Sequence, residues 1–367
     1  MKTLSETLER GNNNFDLIRL IAALAVMLGH SYGLQAGSKM ESMLVFTHRE
    51  SFGSLAVYGF FLISGMLVSA SFFKQPSPMR FVSLRALRIW PGAIVCALFI
   101  GLIVGPLFSR LTVFDYFANT QTLLWLLQNT TLIGHVGGVL PGLFESSVLK
   151  GFANATVWTL PVELNCYVIV LLVGMAGVIG SKRRTLIAVG LAAAIFAMFA
   201  NHPPAFLPMG SFFMLPLAYS FYPVPFFLLG MLLYAYRENI RLSWIPSVLL
   251  AVAYVVFRFS VISTILLYPA FAYGLLWLAS ANFLKRLKPK HDYSYGIYLY
   301  GFVVQQIVAS VYPSLNNYLA FLISVPVTVA LAAASWHWVE HPCLSVYRRQ
   351  AMKMAGNNVV PPEARHS

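Results

Sequence analysis

Long apolar blocks alternate with short polar stretches along most of the chain, and within the blocks the apolar residues show no two-residue alternation. About 20 mainly apolar residues cross a hydrocarbon core as a helix. An unpaired strand cannot, because its backbone polar groups go unsatisfied in lipid. The pattern predicts ten spans: Phe15–Leu34, Leu55–Phe73, Ile89–Phe108, Val157–Ile179, Leu186–Ala200, Phe212–Tyr236, Ile245–Phe259, Val261–Phe283, Tyr293–Tyr312 and Tyr318–Val339. The expected fold is therefore all-α, a polytopic integral membrane protein. A cytoplasmic segment (1–14) leads into a transmembrane domain (15–346), and a polar cytoplasmic tail (347–367) follows. The longest stretch between spans, Ser109–Thr156, contains the apolar piece LLWLLQN. A connection of that length usually has a function of its own.

Composition sharpens this picture. Only 10% of the 367 residues are charged and 58% are hydrophobic, with mean hydropathy +0.72. Soluble domains carry about a quarter charged residues. These numbers exclude a soluble enzyme, a disordered chain and a nucleic-acid module. The net charge of +13 reads as topology. With the N-terminus inside, 19 of the 25 basic residues fall on the cytoplasmic side and four (Lys39, Arg49, Arg110, Lys150) outside. Cytoplasmic loops of membrane proteins hold that excess, so both termini are expected in the cytoplasm. The first apolar run follows a leader containing Glu6 and Glu9 and is not a cleavable signal. Cys96, Cys166 and Cys343 are too scattered for a disulfide framework or a cysteine zinc site.

The residues a bilayer penalises are the informative ones, since a charge at mid-membrane costs at least about 2.5–3.5 kcal/mol. Arg19 and His30 are eleven residues apart in the first span. On a helix they point within about 20° of each other and lie roughly 16 Å apart along the axis. One face thus carries a fixed cation near the inner end and a titratable imidazole farther out. The plainer alternative is a snorkelling arginine and a hydrogen-bonded core histidine. Arg85 and Arg88, with Arg80 upstream, precede the third span. They are either ordinary inside charge or a phosphate clamp, for which the planar guanidinium fork is suited. Glu163 opens the fourth span at about the depth of His30. If the two meet, the carboxylate would orient the imidazole and raise its basicity; otherwise it caps its own helix. His337, Glu340 and His341 match H-x-x-E-H, but Pro342 follows at once and no third ligand is apparent, so no metal is expected. His135 and His202 read as loop residues. Asn129 and Asn154 head two N-x-[ST] sequons in the outside segment.

Taken together, these strings resemble the membrane-bound acyltransferase 3 family over Phe15 to about Val346. FDLIRLIAALAVMLGHS is similar to its first-span R-x10-H motif and RALRIWP to its R-x-x-R element. VWTLPVEL is similar to its W-S-L-x-x-E motif, with Thr159 in place of serine. FFLISGMLVSAS, PFFLLGMLLY, DYSYGIYLYGFVVQQ and SWHWVEHPCL stand in the family's order. The resemblance implies O-acylation of a carbohydrate in a bacterial inner membrane, with acetyl-CoA as cytoplasmic donor and no metal. It implies a glycan or lipid-linked oligosaccharide as acceptor, membrane lipids as surroundings and no nucleic acid. It makes His30 and Arg19 the essential pair, His30 catalytic, and places Arg85 and Arg88 near the donor. Arg19 would reach the donor phosphates as well, and Glu163 would serve the imidazole. No soluble esterase-like domain follows the spans, which favours a glycan acceptor used directly. The main rival reading is a transporter or flippase using the same His, Arg and Glu as a relay.

Overall fold

The computed structural model describes residues 2–9, 11–35, 40–134, 136–199, 211–212, 215–216 and 222–347. Arg10, Lys39, His135, His202, Ala200 at the end of the fifth expected span, and the tail with Arg348, Arg349, Lys353 and Arg365 lie outside the described residues.

The fold is helical. Its principal helices are α1 (Phe15–Leu34), α2 (Phe52–Lys74), α3 (Pro78–Phe108), α4 (Thr120–Thr131), α5 (Thr159–Met175) and α6 (Lys182–Phe199). They continue as α7 (Val224–Ala235), α8 (Trp244–Phe257), α9 (Ser263–Ser280), α10 (Ser294–Val311) and α11 (Asn317–Tyr347). Every expected span contains one of them, but the ten-span count needs correcting. Among the described residues, five helices (α1, α2, α3, α9 and α11) are long and apolar enough to cross a bilayer. The others fall short for visible reasons. Helices α5, α7 and α8 have 17, 12 and 14 residues. Helix α6 opens on Lys182, Arg183 and Arg184. Helix α10 interrupts its apolar run with Tyr295, Tyr298, Tyr300, Gln305 and Gln306. Among the described residues of the sixth expected span, Ser211–Phe212 pairs with Leu215–Pro216 as a two-residue antiparallel ladder, and α7 starts at Val224, behind Pro223.

Helix α3 starts eleven residues before the expected Ile89, with Pro78 at its first turn, where a missing N–H costs nothing. This early start puts Arg80, Arg85 and Arg88 on one continuous helix. At the core, α2 crosses α7 with backbones in contact. A Cβ on Gly65 would lie 2.1 Å from the Phe227 carbonyl oxygen, and one on Gly230 would lie 2.3 Å from that of Leu62. Only glycine permits that approach.

The segments expected on one side of the membrane gather at one end. Lys2–Thr3 pairs with Arg241–Leu242. Lys2 Nζ donates to Asn282, Lys182 Nζ donates to Asn239, and Asn14 donates to the carbonyls of Leu278 and Ala281. From the other end, the 132–158 stretch folds back between the helices. Asn154 Nδ2 donates to the Leu299 carbonyl (2.7 Å), and Gln306 Nε2 donates to those of Leu149 and Phe152.

Candidate functional site

Helices α1 and α10 lie side by side, and both Arg19 and His30 turn toward α10 or the residue leading into it. Arg19 meets Asp292, two residues before α10, while His30 meets Phe302 ten residues later. The shared face expected from the eleven-residue spacing is therefore present. The two ends of that face differ in character.

At the Arg19 end, charges form a chain. Arg88 Nη2 lies 3.0 Å and Arg19 Nη2 3.4 Å from the same oxygen, Oδ2 of Asp292. Arg19 also bonds Asp16 at 2.5 Å, and Lys288 approaches the other Asp16 oxygen at 3.4 Å. Asp292 Oδ1 accepts from the Ser294 hydroxyl (2.5 Å) and its backbone N–H (3.3 Å). Burial works against ionising Asp292, but Arg19 and Arg88 outweigh it and bring the carboxyl down to about 2. Arg85 stands apart from this chain. Among the described residues it forms no ion pair, and its buried Nε has no hydrogen-bond partner. Its guanidinium lies 5.6 Å from the Tyr167 ring centre and 6.0 Å from that of Phe81.

All three arginines line one cavity, which runs outward between α1, α2, α3, α5 and α10 past Glu163, Tyr167 and Tyr298. Glu163 Oε1 accepts from the Ser64 hydroxyl (3.2 Å) and from that of Tyr167. Thr159 shares a 2.7 Å hydrogen bond with the Tyr298 hydroxyl, so threonine supplies the oxygen that serine would have supplied.

His30 is not part of the cavity wall. The wall reaches Val57 and Tyr298. Four residues farther along their helices are Gly53, which backs onto Gly29, and Phe302, whose ring meets the imidazole edge-on at 5.2 Å. The cavity thus stops one helical turn, about 5 Å, short of the histidine. The imidazole is half-buried, and its Nδ1 is fully buried without a partner. Glu163 does not orient it, because its carboxylate is engaged by Ser64 and Tyr167 instead. Glu41, just outside α1, comes closer to this end of the helix. Its Oε1 accepts from the Phe52 N–H at 2.5 Å and would be 3.5 Å from a Cβ on Gly29. Burial raises the Glu41 carboxyl above its ordinary range.

Sequence reasoning singled out Arg19, His30, Arg85, Arg88 and Glu163; it missed Asp292, Ser64 and Tyr167. A signal for Asp292 was present. It is the sole acidic residue between Glu238 and Glu340, set in a basic run and followed two residues later by Ser294. The H-x-x-E-H string does not assemble a metal site. His337 Nε2 pairs with the Tyr293 hydroxyl, and Glu340 accepts from Ser335. No group of three or more His, Cys, Asp or Glu that could hold a metal occurs among the described residues. Cys96, Cys166 and Cys343 are free thiols. Both sequon asparagines are structural: Asn129 is buried and bonds Trp125 and Gly137, while Asn154 is 1% exposed.

The chain matches, over residues 12–337, the model of a family described as an acyltransferase domain. It is 27% identical to an O-acetyl transferase of Shigella phage Sf6 over 335 residues, 90% of this chain and 95% of that one. It is 29% identical to nodulation protein 10 of Rhizobium leguminosarum bv. viciae over 365 residues, 91% and 94% of the two chains. No solved structure matches. With the family match, the five spanning helices make the protein an integral membrane protein.

Proposed function

The chain belongs to this acyltransferase family and is a membrane-bound acyltransferase, and from that premise we propose that it moves an acetyl group from acetyl-CoA to a glycan hydroxyl. The observation that carries the donor assignment is Arg85, a cation without a carboxylate on the wall of a cavity that also holds Arg19 and Arg88. A half-buried guanidinium in that state favours an anionic ligand, and phosphates suit its fork. The relative named an O-acetyl transferase favours acetyl as the group moved. The acceptor that fits this reading is a surface or secreted glycan, or a lipid-linked oligosaccharide.

In this reading both termini lie in the cytoplasm, and the shorter helices pack among the spanning ones. Residues 15–346 form the transmembrane domain between the 1–14 segment and the 347–367 tail. The clustered basic segments face the cytoplasm, so the arginine-lined mouth opens there. The nucleotide phosphates rest on Arg85 and Arg88, with Arg19 beside them, and the pantetheine arm runs outward along α1. Glu163 serves the arm rather than the imidazole, offering its carboxylate to the arm's amide N–H groups. The thioester comes past Phe60 to Tyr298, and the turn of packing beyond it must open for the carbonyl to meet His30.

His30 acts as general base through Nε2, since Nδ1 is buried. It takes the proton from the sugar hydroxyl as the oxygen attacks the thioester carbonyl. The C–S bond breaks, the new ester stays on the sugar, and the CoA thiolate recovers the proton from the imidazolium. No step requires a metal.

The test uses the protein in lipid nanodiscs with radiolabelled acetyl-CoA and lipid-linked saccharides extracted from the producing membranes. Acetyl-CoA consumption matched by alkali-labile label on the saccharide is the expected result. Saccharide or ion flux in proteoliposomes without acetyl-CoA consumption would overturn it in favour of a transporter.

A further inference from the structure

The structure assigns a role to Asp292: we propose that it is the positioning residue of the donor site, holding Arg19 of α1 and Arg88 of α3 in register so that they meet the nucleotide phosphates pre-oriented. The inference rests on the donor reading above and adds a residue that the sequence motifs did not single out.

The argument is geometric. Two guanidiniums from different helices converge on one carboxylate oxygen, at 3.0 and 3.4 Å. Without that oxygen they would repel each other, and each long side chain would regain about 2 kcal/mol of rotamer freedom. Asp292 is itself fixed. Its other oxygen accepts two hydrogen bonds from Ser294, at the first turn of α10, so the anchor is part of a helix start rather than a loose loop. Asp16 steadies Arg19 from the opposite side. The chain Lys288–Asp16–Arg19–Asp292–Arg88 alternates in sign and keeps one net positive charge, while Arg85, on the same wall, forms no ion pair among the described residues. Each guanidinium has five N–H donors, and Asp292 engages one nitrogen of each. Asp16 takes the same Arg19 nitrogen, so the ordering entropy of Arg19 and Arg88 is already met before a ligand arrives.

A positioning role and a merely structural one predict different readouts. The probe is adenosine 3′,5′-bisphosphate, the nucleotide end of the donor without its arm or thioester, titrated into the full-length protein in nanodiscs. Asp292→Asn should weaken it about tenfold or more, the scale of one lost charge-assisted hydrogen bond. Asp292→Glu should recover part of that loss. The same Asp292→Asn protein should lose several-fold less turnover with S-acetyl-N-acetylcysteamine, a thioester without phosphates, than with acetyl-CoA, because the uncharged end of the donor never meets the arginines. Equal losses with both compounds, or unchanged nucleotide binding, would overturn the proposal. If Asp292→Asn fails to fold, Ser294→Ala takes its place. It removes the hydroxyl bond to Oδ1, leaving the backbone N–H and the charge, and should weaken the nucleotide by about threefold, with no change counting against the proposal. Failure of the parent reading looks different: the wild-type protein would not bind the nucleotide at all.

Discussion

The two ends of α1 handle polarity in opposite ways. The inner end packs five charged side chains into a chain of alternating sign, each held by a neighbour of opposite charge. The outer end holds a single imidazole against a phenyl ring, with no ion pair and an unpartnered Nδ1. A network of paired charges is rigid and holds its geometry, which suits recognition of a highly charged ligand. An imidazole engaged in no ion pair is the side chain most often used to take a proton from a hydroxyl. One turn of close packing separates the two, so the binding field and the proton-transfer group share a helix without sharing a cavity.

The comparison breaks most sharply at His30. His30→Ala should lower acetyl transfer by about 10²–10⁴-fold, the range for a lost general base, while donor affinity stays within error. Transfer at near wild-type rate by the purified variant would remove the outer end from the mechanism. Arg85→Ala and Arg88→Ala then test the inner end against itself. Arg85→Ala should raise the KM for acetyl-CoA about tenfold with no loss of thermal stability, because it forms no ion pair. Arg88→Ala should raise KM and also lower the melting temperature, because it strips one cation from Asp292. Equal stability in the two variants would mean the pairing at Asp292 carries no weight. Glu163→Gln probes the passage between the ends: a loss of a few-fold in kcat/KM, with an unchanged pH profile, is expected if the carboxylate serves the arm. A displaced profile would return Glu163 to the imidazole. The smallest effect concerns pH. Asp292 is held at about 2, below the ordinary carboxylate value near 4. Its contribution to stability is complete above that ordinary value and is lost as pH falls toward 2. The melting-temperature gap between wild type and Asp292→Asn should be constant between pH 5 and 8 and should close on acidification.

Much of this was legible in the sequence because lipid penalises polarity so heavily. Arg19, His30, Arg85, Arg88 and Glu163 stood out against apolar surroundings, and four of them line one cavity. The eleven-residue spacing of Arg19 and His30 translated directly into a shared face. Three things were hidden. The partner of Glu163 could not be read, because depth along a helix does not fix rotation between helices; Ser64 and Tyr167, not His30, hold it. The start of α3 was placed too late, because the basic run that marks a membrane boundary does not end a helix opened by Pro78. The span count was inflated because long apolar stretches hold shorter helices: the described helix Val224–Ala235 covers only 12 residues of the Phe212–Tyr236 stretch.

The depth at which Asn154 is seated has a practical consequence for producing this protein. A eukaryotic secretory host attaches its oligosaccharide to N-x-[ST] sites on exposed chain, before packing is complete. Asn154 is 1% exposed and its amide is spent on the Leu299 carbonyl, so a sugar there would wedge the 132–158 stretch away from α10. Expression in yeast or insect cells should therefore yield modified, misassembled chains, and replacing Thr156 to erase the site would cost the hydrogen bonds its hydroxyl shares with Asn154 and Tyr298. A bacterial membrane avoids both problems.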